Sequence, residues 1–291
     1  MPELPEVHTT VEGLKGLVIG KTITDVWSDF HMETAHGHRN NLKNKKHYEN
    51  FKKTVEGAKI KSVERRGKNI LINLNNGHTI VVHMKMTGHL MYGATDKFVH
   101  LIFKLKNARS TGSGQAKDLV LSDMRKFASV CLVRSEKLGE HEGLKNLGLD
   151  ALKISLQDFK EKIKRKKNWP IKSALMDQTI LAGIGNIYSD EMLWVSGVHP
   201  LSRASKVSSK KLAQIFEAMQ KILRFSIKHG GDSKSDYRNV FGEKGGFQDF
   251  HKAYGRKGEV CSKPGCRGII QRIVVRGRSA HFCSKHQNLH E

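Results

Sequence analysis

Apolar positions in the first eighteen residues recur at helical spacing. Val7, Val11, Leu14 and the pair Leu17/Val18 fall on one stripe, which predicts a helix over residues 5–18 with Gly20 as its stop. From Thr22 the period drops to two. Strand-like segments follow at 22–27, 58–64, 69–74, 78–84, 98–105, 118–121 and 127–133. Asn76-Gly77, between Leu74 and His78, is a hairpin signal, because a tight hairpin turn favours residues that tolerate positive φ. Short strands at this spacing predict a β-sandwich or a flattened barrel. Two polar inserts interrupt the pattern and read as surface loops: 31–53, rich in His, Asn and Lys, and 107–117, rich in Gly, Ser and Ala.

Over 135–154 the alternation lapses into Gly, Lys and Glu, a linker, and beyond it the period is helical. Ser155 caps a helix with Asp158 at its third position and Leu156, Phe159 and Ile163 on its inner face. A second short helix ends at Leu175-Met176. The stretch 177–186 is too long for the turn of a simple helix-turn-helix, and Asn186 is read as N-cap of the next helix, through Trp194. The longest helix covers 209–229, with Leu212, Ile215, Phe216, Met219, Leu223 and Ile227 on one side and Gly230 at its end. The polar, glycine-rich stretch 229–257 reads as a mobile loop. The pattern divides the chain into an N-terminal β domain with its leading helix (1–134), the linker (135–154), a helical domain (155–250) and a small C-terminal module (251–291). This is an α+β multidomain architecture.

Charge narrows the partner. Across 291 residues, 51 Lys+Arg against 28 Asp+Glu leave a net charge of +23, which points to a polyanion, with a merely soluble basic surface as the plainer alternative. No run of roughly 18 apolar residues exists to span a bilayer, and the amino terminus has no apolar signal-peptide core. A cytosolic protein is the expectation. Three of the four cysteines fall in the last 31 residues. In Cys261-x4-Cys266-x16-Cys283-x2-His286, two ligand pairs flank a hairpin-like segment, and thiolates with an imidazole suit one structural zinc ion. His281 is a rival fourth ligand that needs a tighter approach. A ribbon built this way thrusts Arg276 and Arg278 outward toward phosphate. Cys131, between Val130 and Leu132, reads as a core cysteine.

The start of the first helix carries candidate chemistry. If Met1 is removed, Pro2 presents a secondary terminal amine beside Glu3 and Glu6. Such an amine titrates well below lysine, can attack an electrophilic carbon and can then collapse to an iminium. The alternative is a proline tolerated at a helix start, where its missing N–H costs nothing. The helix terminus itself favours carboxylates and bound anions.

Several motifs recur in a recognisable order. They are Pro2-Glu3-Leu4-Pro5-Glu6-Val7, Arg65-Arg66-Gly67-Lys68, His83-Met84-Lys85-Met86-Thr87-Gly88 and Asp123-Met124-Arg125-Lys126-Phe127. Then come the run 177–188, Tyr254-Gly255-Arg256-Lys257-Gly258-Glu259, and Gly277-Arg278-Ser279-Ala280-His281-Phe282-Cys283. Nearly end to end, the chain resembles the bacterial formamidopyrimidine-DNA glycosylases of the Fpg/Nei group. The resemblance implies an N-terminal two-layer β-sandwich flanked by helices, a helical domain with a helix-two-turn-helix, and a zinc ribbon finger. It implies a monomer that acts on damaged double-stranded DNA, with no membrane partner. Oxidised purines such as 8-oxoguanine and formamidopyrimidines are excised, and the abasic strand is then nicked.

On the same resemblance Pro2 is the nucleophile and Glu3 the general acid/base. Lys68 and Arg278 are the cations beside the phosphates expelled by β- and δ-elimination, and Glu6 is either a helix-structural or a direct participant. Met86, Arg125 and Phe127 fill the void left by an everted nucleotide. His83, Lys167, Asn186 and Arg276 are the further DNA contacts, and the loop 235–248 is a cover for the everted base. Leu4 stands where the endonuclease VIII-like branch has Gly, which favours oxidised purines over oxidised pyrimidines. Outside enzymes, the competing reading is a DNA-structure-binding protein without turnover. The chain also departs from the family pattern. His8 replaces a Glu, Thr10-Val11-Glu12 replaces basic residues, and Met124 interrupts an Asp-Pro-Arg pattern. Four residues rather than two separate the first cysteine pair, and His286 replaces a last Cys.

Overall fold

A computed structural model describes residues 1–31, 42, 44–107 and 117–291, so part of the first predicted insert (32–41 with 43) and most of the second (108–116) lie outside the described residues. Contacts divide the chain into two compact units: Met1–Lys145 with His229–Gly246, and Asn146–Lys228 with Phe247–Glu291. The predicted linker contains a 3-10 turn, Ser135–Glu140, and the boundary between units falls inside it.

In the first unit, α1 (Leu4–Val18) is followed by β1 (Thr22–Ser28), α2 (Lys45–Val55), β2 (Ile60–Arg66), β3 (Asn69–Leu74) and β4 (His78–His83). Then come β5 (Gly88–Tyr92), β6 (Val99–Lys106), β7 (Leu119–Asp123) and β8 (Ser129–Arg134). The strands form two four-stranded antiparallel sheets, in the orders β1-β6-β7-β5 and β2-β3-β4-β8. The sheets are not closed on each other, which rules out the flattened-barrel alternative. One hydrophobic cluster joins the predicted stripe of α1 (Val7, Val11, Leu14, Val18) to inward residues of both sheets, among them Val26, Ile72 and Leu121. At about 1.5–3 kcal/mol for each fully buried aliphatic side chain, that stripe holds the start of the chain in place.

Three elements differ from the pattern. The segment 31–53 is not loop throughout: Asn44 caps α2 by accepting the Lys46 N–H at 2.9 Å, and Tyr48, Phe51 and Val55 face inward on a helix otherwise rich in Lys and His. Strand β5 was hidden because its first four residues are all buried, so no alternation marks it. The segment 229–246, within the supposed mobile loop, is built into this unit. The Tyr92 N–H at the edge of β5 donates to the Val240 carbonyl at 2.7 Å, and Val240 joins the core.

The second unit contains α3 (Leu156–Lys164), α4 (Ile171–Met176), α5 (Asn186–Ser196) and α6 (Ser209–Lys228). Leu149–Asp150 (β9) and Leu181–Ala182 (β10) pair in parallel, and Ile270–Val275 (β11) with Arg278–Cys283 (β12) form a hairpin. Ser155 caps α3 as expected, accepting the Asp158 N–H at 3.1 Å. Helix α5 is buried on nearly every side and carries two buried carboxylates, Asp190 and Glu191. Its N-cap is Gly185, not Asn186, which is its first residue. The Asn186 side chain donates to Ser279 Oγ at 3.1 Å instead of folding back on its own helix.

Candidate active site and metal cluster

The amino end of α1 is buried from Pro2 onward. Glu3 and Glu6 form a capping box: the Glu3 side chain accepts the Glu6 N–H, and the Glu3 N–H donates to Glu6 Oε2 at 2.7 Å. The other Glu6 oxygen accepts the Asp232 N–H at 2.8 Å. The Glu6 carbonyl accepts the hydroxyls of Thr10 and Tyr237, each at 3.0 Å. Gly231, at φ +85, passes so close that a Cβ there would lie 3.1 Å from Glu6 Oε1. Both Glu6 oxygens are therefore committed to backbone donors, and the residue acts as a clasp that sets Pro2 and Glu3. Sequence reasoning missed Asp232 and Tyr237 because their partners lie more than 200 positions away.

Lys68 occupies the two-residue turn between β2 and β3, beside Gly67 at φ +58, and is only 6% exposed. His83, at the end of β4, is half-buried. Burial, with the charges of Lys85 and Lys68 nearby, pushes its pKa down to about 3. Its Nδ1 accepts the Lys85 N–H at 3.0 Å, so the neutral ring carries its proton on Nε2. At neutral pH, His83 is an uncharged hydrogen-bond donor.

Met86 is 39% exposed, Arg125 is exposed, and the Arg125 guanidinium lies 4.6 Å from the Phe127 ring centroid. Met124, beside Arg125, is also exposed. One fully buried carboxylate, Asp123, holds the two loops that carry them. It accepts the Thr87 hydroxyl, the Arg125 N–H at 3.2 Å and the Ala128 N–H at 2.6 Å. The residue stood in a quoted motif, but its role depends on these cross-loop donors. Asp123→Asn turns one acceptor into a donor facing a donor, so it is expected to cost about 1–3 kcal/mol. Thermal unfolding beside a gel shift on an abasic-analogue duplex checks this; unchanged stability and binding would remove the assignment.

In the second unit, Lys167 is exposed after α3. Arg276 and Arg278 are exposed at the β11–β12 turn, but Arg276 does not simply project outward: its guanidinium lies 3.9 Å from the Trp169 ring centroid. Asp190 joins three elements, accepting Lys172 Nζ from α4 and the His281 N–H from β12 at 2.9 Å. His281 Nδ1 lies 3.0 Å from the same carboxylate, and the cluster of converging ligand atoms contains His286 and not His281. Glu191 accepts three backbone N–H groups, from Lys252, Ala253 and Tyr254, at 2.8–2.9 Å. Two adjacent acids within an apolar helix were the available sequence signal.

Cys261, Cys266, Cys283 and His286 present ligand atoms that all lie within 4.8 Å of one another. Cys266 Sγ and Cys283 Sγ are 3.6 Å apart, and His286 Nδ1 lies 3.4 Å from Cys261 Sγ and 3.7 Å from Cys266 Sγ. Bond lengths of about 2.3 Å to sulfur and 2.0 Å to nitrogen put tetrahedral ligands roughly 3.8 Å (S–S) and 3.5 Å (S–N) apart. The cluster has those dimensions. The His286 Nε2–H donates to the Trp194 carbonyl at 2.9 Å, leaving Nδ1 as the ligand atom, and the Gly268 and Lys285 N–H groups point at sulfurs from 3.4 Å.

The family model described as the formamidopyrimidine-DNA glycosylase N-terminal domain matches residues 1–130, and that described as the H2TH domain matches 147–238. The formamidopyrimidine-DNA glycosylase of Herpetosiphon aurantiacus is 36% identical over 290 residues, covering 97% of this chain and 98% of that protein. That of Pelotomaculum thermopropionicum is 34% identical over 288 residues, covering 97% and 98%. Among solved structures, the complex of Lactococcus lactis Fpg with abasic-site-containing DNA aligns at TM-score 0.84 and 28% identity, covering 98% of this chain and 99% of that one. MutM in complex with carbocyclic 8-oxo-G-containing DNA aligns at 0.83 and 28%, covering 99% and 100%. With both domain models matched in order and relatives this similar along their whole length, the chain belongs to the formamidopyrimidine-DNA glycosylase family.

Proposed function

We propose that this chain is a bifunctional DNA glycosylase and AP lyase that excises oxidised purines from duplex DNA and nicks the resulting strand. The observation that carries this reading is the start of α1, where Pro2 and Glu3 are buried and set by the Glu6 clasp in a chain of this family. With Met1 removed, the Pro2 nitrogen attacks the sugar C1′ as the bond to the damaged base breaks. The departing base takes the bond pair and the proton that the alkylated nitrogen sheds; Glu3 then gives a proton to the ring oxygen as the C1′–O4′ bond breaks and the iminium forms. That iminium acidifies C2′. Loss of the C2′ proton expels the 3′ phosphate, and loss of a C4′ proton then expels the 5′ phosphate. Lys68 and Arg278 supply the cations at those leaving oxygens. A water nucleophile would stop at the abasic site.

Met86, Arg125 and Phe127 occupy the gap left by the everted nucleotide, while His83, Lys167 and Asn186 contact the backbone. Cys261, Cys266, Cys283 and His286 would hold one zinc ion, which would supply a structural cross-link and take no part in the steps. The same reading takes the first unit as a two-layer sandwich, α4 and α5 as the helix-two-turn-helix, and 251–291 as a zinc ribbon. It places a monomeric protein with the nucleoid in the cytoplasm.

Borohydride reduction of the Met1-processed protein on a duplex containing 8-oxoguanine is expected to trap a covalent adduct, and a chain retaining Met1 to trap none. Equal trapping by the two would overturn the amine nucleophile. Faster cleavage of a thymine glycol duplex would overturn the purine preference.

A further inference from the structure

Trp169 carries two cations over its ring. Lys166 Nζ lies 4.3 Å from the centroid and the Arg276 guanidinium carbon 3.9 Å. Lys166 also pairs with Asp177 Oδ2 at 2.9 Å, which offsets the charge of one of the two cations. The other oxygen of Asp177 accepts the Thr179 N–H and hydroxyl at 2.9 and 2.8 Å, opening the turn that leads to Asn186. At the far end, Arg276 and Gly277 are the central residues of the β11–β12 turn, at φ +47 and +78. A two-residue hairpin turn of this kind favours Asn and Gly, and an arginine at positive φ is strained unless something holds it. The Trp169 ring is what Arg276 rests on. The next residue is Arg278, and Ser279 after it is bonded to Asn186.

We propose that Asp177, Lys166, Trp169 and Arg276 form a ladder that fixes the hairpin turn and thereby the direction in which Arg278 projects. Trp169 and Arg276 are thus positioning residues, and Arg276 serves the turn before it serves DNA. The inference rests on the reading of Arg278 as a phosphate contact. Of the common aromatic side chains, tryptophan gives the strongest cation–π attraction, and the two cations converge on the residue whose loss would free the turn.

The test uses the full, Met1-processed, metal-loaded chain on a duplex with one 8-oxoguanine. Trp169→Ala and Arg276→Ala are each expected to raise KM roughly 3- to 30-fold, the range a cation–π contact spans. Both should lower the ratio of δ- to β-elimination product, and in Trp169→Ala the borohydride-trapped yield at saturating duplex should stay at the wild-type level. Trp169→Phe, which keeps an aromatic face, is expected to return KM to within about threefold of wild type. The double alanine variant should be no worse than the worse single. Wild-type KM and product ratio in Trp169→Ala, defects that multiply in the double variant, or a Trp169→Phe as impaired as the alanine would each overturn the ladder. If Trp169→Ala fails to fold, Trp169→Met, which keeps apolar bulk but offers no aromatic face, decides by the same KM and product ratio. A wild-type chain that neither cleaves nor traps defeats the underlying reading of the site instead.

Discussion

Glu3→Gln is expected to slow base excision about 10²- to 10⁴-fold, the contribution typical of a positioned general acid/base, with duplex binding nearly unchanged. Glu3 is 2% exposed and its side chain accepts the Glu6 N–H. Glutamine keeps the shape and one acceptor oxygen, so the helix start survives while the transferable proton is lost. Glu6→Gln is the contrasting variant. Both oxygens of Glu6 accept backbone donors, from Glu3 and Asp232, and an amide must turn a donor toward one of them. That change is expected to cost about 1–3 kcal/mol of stability and to depress binding and excision together. Single-turnover excision, a gel shift and thermal unfolding on both variants separate the two roles. A parallel loss of binding and excision in Glu3→Gln would make Glu3 structural as well.

Gly268→Ala is expected to abolish metal binding as completely as Cys283→Ser. A Cβ at position 268 would lie 2.4 Å from Cys283 Sγ, closer than any real contact allows, and Lys285 backbone stands 3.2 Å away on the same side. The apolar cluster around the site is small, formed by Trp194, Ala253, Cys261, Ile270 and Cys283 with Cys266 beside it. Too little surface is buried there to order a hairpin without a cross-link, so metal binding and local folding are one event. Without it Arg278 loses its support. If Arg278 holds phosphate as proposed, loss of such charge-assisted contacts, worth about 1.5–3 kcal/mol, is expected to lower duplex affinity about 10- to 150-fold. Elemental analysis, circular dichroism and a gel shift on the two variants check this. Full metal content in Gly268→Ala, or undiminished affinity without metal, would refute it.

The helix stripe from Val7 to Val18, the Asn76-Gly77 turn, the Ser155 cap and the Cys/Cys/Cys/His spacing were all legible in one dimension. Each depends on residues within a turn or two of one another, or on ligand chemistry that few residue types can supply. Strand β5 and helix α2 were not legible, because burial on both faces erased the alternation of one and a lysine-rich surface masked the stripe of the other. Asn186 shows the limit most clearly. Its type suits an N-cap, yet it lies inside the helix with its amide on Ser279, a partner 93 positions away.

By itself, then, the order of residues determined most of the local elements and the Cys/Cys/Cys/His cluster, since those follow from spacing and functional groups. Only the folded chain decided that 229–246 clasps Glu6, that Asp123 ties two loops together, that Asp190 pairs with His281, and that Arg276 rests on Trp169. Each of those is a buried polar or charged group finding its partner across a long stretch of sequence. Such a group must be satisfied somewhere, but which partner satisfies it is set by the backbone that burial of the core has already brought close.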